Sequence, residues 1–108
     1  MSGHITIRNL QECIKKMNYL PKDKTEYILK FMEESGELAN AILRDFPHAE
    51  GENIKNTIEE EFVDVLHCLL ALANVYDVDI EKWYPVKMRE ADKKLRADGF
   101  FEENFEYV

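Results

Sequence analysis

The chain has 108 residues, enough for one domain, and is 45% hydrophobic and 33% charged, a composition that folds. Its formal net charge of −8 argues against a surface built for nucleic acid or anionic lipid. Acidity does not exclude a phosphate-bearing small molecule, because a bound divalent cation reverses the local sign.

A domain this small buries a modest fraction of its surface, so marginal stability or oligomerisation is expected. Cys13 and Cys68 lie far apart in sequence. The opening MSGHITIRNL has no apolar run of the secretory kind, and two reduced thiols in a cytoplasmic protein are expected. No stretch reaches the roughly 18 apolar residues of a membrane span. The longest apolar region, from Phe62 to Val78, is interrupted by Asp64, His67, Asn74 and Asp77, and reads as a core helix.

The prolines and glycines act as punctuation and leave helical segments between them. The first is expected from about Thr6 to Met17, with Ile7, Leu10, Ile14 and Met17 on one face. The second runs from about Lys22 to Arg44, with a buried stripe of Ile28, Phe31, Met32, Ser35, Leu38, Ala39 and Ile42. A loop, DFPHAEGE, spans Asp45 to Glu52, and Asn53 is the expected cap of a third helix reaching about Tyr76. Its expected buried set includes Ile58, Phe62, Val65, Leu66, Leu69, Leu70, Leu72 and Ala73. Asp79 is the expected cap of a fourth helix to about Ala97, in which Pro85 should produce a kink or delay the start. The architecture expected is an all-α bundle with short connections: one domain, with a core from about 6 to 97 and an aromatic, acidic tail over 98–108.

The informative feature is a pair of acidic couples on the two central helices. KFMEESGEL places Glu34 and Glu37 three apart, and EEEFVDVL does the same with Glu61 and Asp64. Residues three apart share a helix face. Two facing couples would offer hard oxygen ligands to magnesium or manganese. Glu33, Glu59 and Glu60 read as ordinary solvated glutamates. Asp64 is different, because Cys68, Ala71 and Val75 share its flank of the helix. An ionised carboxylate there needs a metal or a basic partner, and the residues alone leave both open. Lys30, one turn before Glu34, is either a helical ion-pair partner or a phosphate contact. Lys87 and Arg89 are further basic candidates. His67 makes D-x-x-H with Asp64, but no second such pair exists for a di-iron bundle site. There is no GxGxxG or GxxxxGK[ST] loop, no G-x-S-x-G elbow and no zinc spacing of Cys and His.

EESGEL followed by EEEFVDVL resembles the MazG-type signature, E-E-x-x-E then E-x-x-D. The resemblance runs from about Leu10 to Lys87. It implies the all-α nucleoside triphosphate pyrophosphohydrolases, alongside phosphoribosyl-ATP pyrophosphohydrolase and the dimeric dUTPases. By resemblance, Glu34, Glu37, Glu61 and Asp64 match magnesium ligands and catalytic acids. Glu33 matches a supporting acid, and Lys30 and Lys87 match lysines near the phosphates. The implied fold is a four-to-five-helix bundle completed by dimerisation, as a homodimer or a tetramer made of two dimers. The implied reaction is Mg2+-dependent (Mn2+ is the alternative ion) release of pyrophosphate from (deoxy)nucleoside triphosphates, serving nucleotide-pool cleansing. The family pattern K-M-x-x-N-x-x-R is broken here, with Ala91 and Lys94 at the Asn and Arg positions. Base and sugar contacts are therefore not carried over. Tyr19, Trp83 and Tyr84 are candidates for base stacking or for an interface. The rival expectations are a phosphoribosyl-ATP or dUTP specificity on the same scaffold, and a non-catalytic helical dimerisation module.

Overall fold

The computed structural model describes residues 4–17 and 23–99. Four helices follow one another: α1 (Ile7–Lys15), α2 (Lys24–Leu43), α3 (Ile58–Val75) and α4 (Ile80–Ala97). No strand occurs among the described residues. Tyr19 and the tail residues from Phe100 onward lie outside them.

Each helix starts on a side chain that accepts an otherwise unpaired backbone N–H, an arrangement that contributes about 1 kcal/mol per helix. Thr6 caps α1, Asp23 caps α2, Thr57 caps α3 and Asp79 caps α4. The third cap corrects the expectation for Asn53. Asn53 is instead tied to Glu50 in a tight turn, its N–H donating to the Glu50 carbonyl at 3.0 Å. Four residues on, the Thr57 hydroxyl accepts from Glu60 N–H and donates to the Ile54 carbonyl. The start of α4 is not delayed by Pro85, which lies within the helix.

Helices α2 and α3 end alike. Asp45 (φ 52°) and Asp77 (φ 53°) adopt the left-handed conformation just after them. The N–H of Phe46 then reaches back to the Ala41 carbonyl, and that of Val78 to the Ala73 carbonyl, each at 3.0 Å. Both closures are Schellman motifs with aspartate where glycine is commoner.

Helices α2 and α3 form the principal packed pair, α1 lies on α3, and α4 packs on α1. Ile14, Leu70 and Ala71 form the buried cluster, flanked by Ile7, Leu10, Tyr27 and Ile80. The face that α2 buries is Tyr27, Phe31, Glu34, Leu38 and Ala41, a four-three-four-three spacing. This corrects the expected stripe, since Ile28, Met32 and Ile42 remain 40%, 62% and 49% exposed. On α3 the equivalent face is Thr57, Glu61, Asp64, Cys68 and Ala71, while Phe62, Leu66 and Leu69 stay exposed against expectation. Glu34, Glu61 and Asp64 therefore lie on the buried faces of the two helices that pack together.

A candidate metal and phosphate site

Oxygen atoms of Glu34, Glu61 and Asp64 lie within 4.8 Å of one another, and a second group of the same kind joins Glu33, Glu34 and Glu37. Glu34 belongs to both. Its neighbour positions on α2 carry the packing residues Phe31 and Leu38, so its backbone is held in the seam with α3. Glu34 retains only 7% of its exposure, Glu61 and Asp64 are half-buried, and Glu33 and Glu37 face outward.

The electrostatics of this seam are strained. Burial, then the charges of Asp64, Glu34 and Glu60, push the Glu61 carboxyl up. Burial and then Glu34 push Asp64 up, with His67 and Lys30 opposing. Glu37 is raised first by its carboxyl–carboxyl contact with Glu34, then by the Glu34 charge. The thiol of Cys68, one turn beyond Asp64, is raised by burial and then by Glu34. Glu34 Oε2 and Glu61 Oε2 are buried without any hydrogen-bond partner. A buried carboxylate oxygen left unpaired costs on the order of 1–3 kcal/mol or more. A hard divalent cation is the group that satisfies several such oxygens at once, so the donor set fits Mg2+ or Mn2+.

Lys30 lies beside these acids. Its Nζ is 2.9 Å from Glu34 Oε1 and 3.6 Å from Glu33 Oε1. The hydrogen bond with Glu34 is the main reason its ammonium is held above the usual lysine value. Lys87 is exposed on α4, whose main packing is on α1. Arg89 is likewise exposed on α4. Trp83 and Tyr84 are 52% and 60% exposed, with Lys82 Nζ 4.9 Å from the Trp83 ring centroid.

The family model for dUTPase matches residues 6–106. Two crystal structures of iMazG from Vibrio DAT 722 are similar. The C-terminally tagged form has 31% identity and a TM-score of 0.73, over 82% of this chain and 99% of that one. The N-terminally tagged form has 32% identity and a TM-score of 0.74, over 83% and 97%. The chain belongs to the MazG-like, all-α nucleoside triphosphate pyrophosphohydrolase family. No curated protein matches it.

Two further residues, Glu59 and Glu60, expected from the sequence to be solvated, bind the loop that precedes the acid row. Glu59 receives the backbone N–H of Ala49 through Oε1, and its Oε2 lies 2.6 Å from His48 Nδ1. The His48 contact first, then that N–H, hold the Glu59 carboxyl below the usual range. Glu60 accepts the N–H of Asn56, a residue with φ of 61°. Together they fasten the 45–57 loop onto the first turn of α3, where Glu61 begins the acid row. One local signal exists: Thr57 and Glu60 follow the capping-box spacing, and Glu60 reaches back to an N–H just before the cap.

Proposed function

We propose that this chain is an enzyme hydrolysing (deoxy)nucleoside triphosphates to the monophosphate and pyrophosphate. The observation that carries the reading is the convergence of Glu34, Glu61 and Asp64 in a buried seam, with two carboxylate oxygens left unpaired. Glu34, Glu37, Glu61 and Asp64 would hold Mg2+, with Mn2+ as the alternative. A bound ion of this class neutralises charge on phosphate oxygens and lowers the cost of forming a hydroxide nucleophile. Glu37 is the proposed proton acceptor. It is exposed at the mouth of the seam, where an attacking water could reach it. Lys30 would meet the phosphates beside the acids.

Lys87, exposed on α4, would complete the phosphate contacts in a site finished by a second chain. Large exposed side chains, among them Met32, Leu43, Phe62, Val63 and Tyr84, support a homodimer or a dimer-of-dimers tetramer. An apolar groove of about 520 Å³ between α1, α3 and α4 adds to that surface. No helix among the described residues is long and apolar enough to cross a membrane, which is compatible with work on a cytoplasmic nucleotide pool. Cleansing of that pool is the proposed role. The dUTPase description of the family model favours dUTP as a second, narrower reading of the substrate.

The test is pyrophosphate release from a panel of ribo- and deoxynucleoside triphosphates with Mg2+, repeated with chelator. Metal-dependent release of pyrophosphate and monophosphate is expected. Folded protein that releases none from any triphosphate, with Mg2+ or Mn2+, would overturn the assignment in favour of a binding or dimerisation module.

A further inference from the structure

Glu34 has two unlike oxygens. Oε1 is gripped by the Lys30 ammonium at 2.9 Å. Oε2 is buried and has no partner. The two side chains also differ in freedom: Lys30 keeps 47% of its exposure and Glu34 only 9%. A lysine placed four residues before a glutamate is the less favourable order for a helical pair, so helix stability alone is a weak reason for the contact. Glu34 is fixed in the α2–α3 seam, whereas the lysine head swings on a flexible four-carbon stem.

We propose that Lys30 is a built-in counter-ion that a divalent cation displaces from Glu34 on entering the site, which frees the ammonium for the incoming polyphosphate. The proposal rests on the hydrolase reading above and adds an order of events to it. A cation held by Glu34, Glu61 and Asp64 would share Glu34 with the ammonium, and the two like charges would repel. Glu34 cannot retreat, because its helix face is packed, so the exposed lysine moves. Before that exchange the ammonium is bound to its own carboxylates, Glu33 and Glu34, and is a poor ligand for phosphate. Metal entry thus switches on a phosphate contact with no movement of the backbone.

The experiment is Mn2+ titration of the nucleotide-free full chain, followed by electron paramagnetic resonance, for the wild type, Lys30→Met and Lys30→Gln. Removing the competing charge should tighten Mn2+ binding by about fivefold or more in both variants. Lys30→Arg keeps the charge and should stay within about twofold of the wild type. In the wild type, the side-chain 15N resonance of Lys30 should shift with Mg2+ and saturate with metal occupancy. Unchanged or weaker Mn2+ binding in Lys30→Met and Lys30→Gln overturns the proposal. If the wild type binds Mn2+ and releases pyrophosphate while the variants bind no tighter, only this inference falls. A wild type that binds no Mn2+ removes both.

Discussion

Gln11 and Asn74 hold each other twice. The Gln11 side-chain amide donates to Asn74 Oδ1 at 2.9 Å, and the Asn74 amide donates to the Gln11 backbone carbonyl at 2.9 Å. Gln11 also donates to the Val78 carbonyl and accepts from Ile80 N–H. One side chain on α1 thereby satisfies the backbone of the α3–α4 turn. Asn74→Leu leaves buried amide groups unpaired and should cost about 2 kcal/mol of stability, read from urea unfolding followed by circular dichroism. A loss below the error of the measurement would mean that the knot is solvated.

The acid seam should make stability depend on pH in an unusual direction. Glu61, Asp64 and Glu37 have folded values above their ordinary ones. Each therefore contributes stability that is present below its ordinary value and is lost as pH rises through the folded value. In chelator, the urea midpoint should rise on acidification from about pH 7 into the mildly acidic range. Glu59 and Asp79 work the other way. The His48 contact lowers Glu59; at Asp79 burial is opposed and outweighed by Arg8, with backbone N–H groups helping. Their contributions are lost as pH falls through their lowered folded values, so the gain should reverse in stronger acid. Glu61→Gln should flatten the mildly acidic rise, and Mg2+ should do the same, because metal binding requires the ionised carboxylates. A wild type that only loses stability on acidification would contradict this account.

Glu37→Ala and Asp64→Ala should each lower kcat by roughly a hundredfold or more, if the two act as base and metal ligand. Their helical circular dichroism should match that of the wild type. Without metal, Asp64→Ala should melt no lower than the wild type, since it removes a half-buried charge beside two others. Turnover retained in both variants would end the assignment of these acids.

Much of this arrangement is legible in the sequence, and the failures have physical causes. The α1 face of Ile7, Leu10 and Ile14 is correctly given by period, because that helix packs within its own chain. The α2 stripe is rotated. Ranking by hydropathy selects Ile28, Met32 and Ile42, yet the chain buries the face that carries Glu34. A helix with apolar residues on two sides gives no single answer when one side is left for something else. Asn53 is misassigned as a cap because capping chemistry is shared by asparagine and threonine, and turn geometry chooses between them. The meeting of Glu34, Glu61 and Asp64 follows from i, i+3 spacing on two adjacent helices. Where Lys87 stands relative to them depends on how α4 packs, and no local pattern encodes that.

The apolar residues left uncovered on α2 and α3 carry a prediction about assembly. Light scattering coupled to size exclusion should find the wild type as a dimer or tetramer. The double variant Met32→Glu and Phe62→Glu should shift it toward monomer, because charge at a buried contact is costly. A wild type that is monomeric at every concentration would show that these side chains serve another surface.

Glu34, Glu61 and Asp64 occupy positions where a bundle of this kind would accept leucine or valine. Selection for robustness alone would fill them with hydrocarbon and leave the backbone as it is. A descendant that lost its chemistry could then outlast its parent under heat while keeping the same helices and the same silhouette. If these acids hold the metal as proposed, heat tolerance and chemical competence are recorded at the same letters of the sequence, and a relative lacking them would have lost the reaction, however closely its helices superimpose.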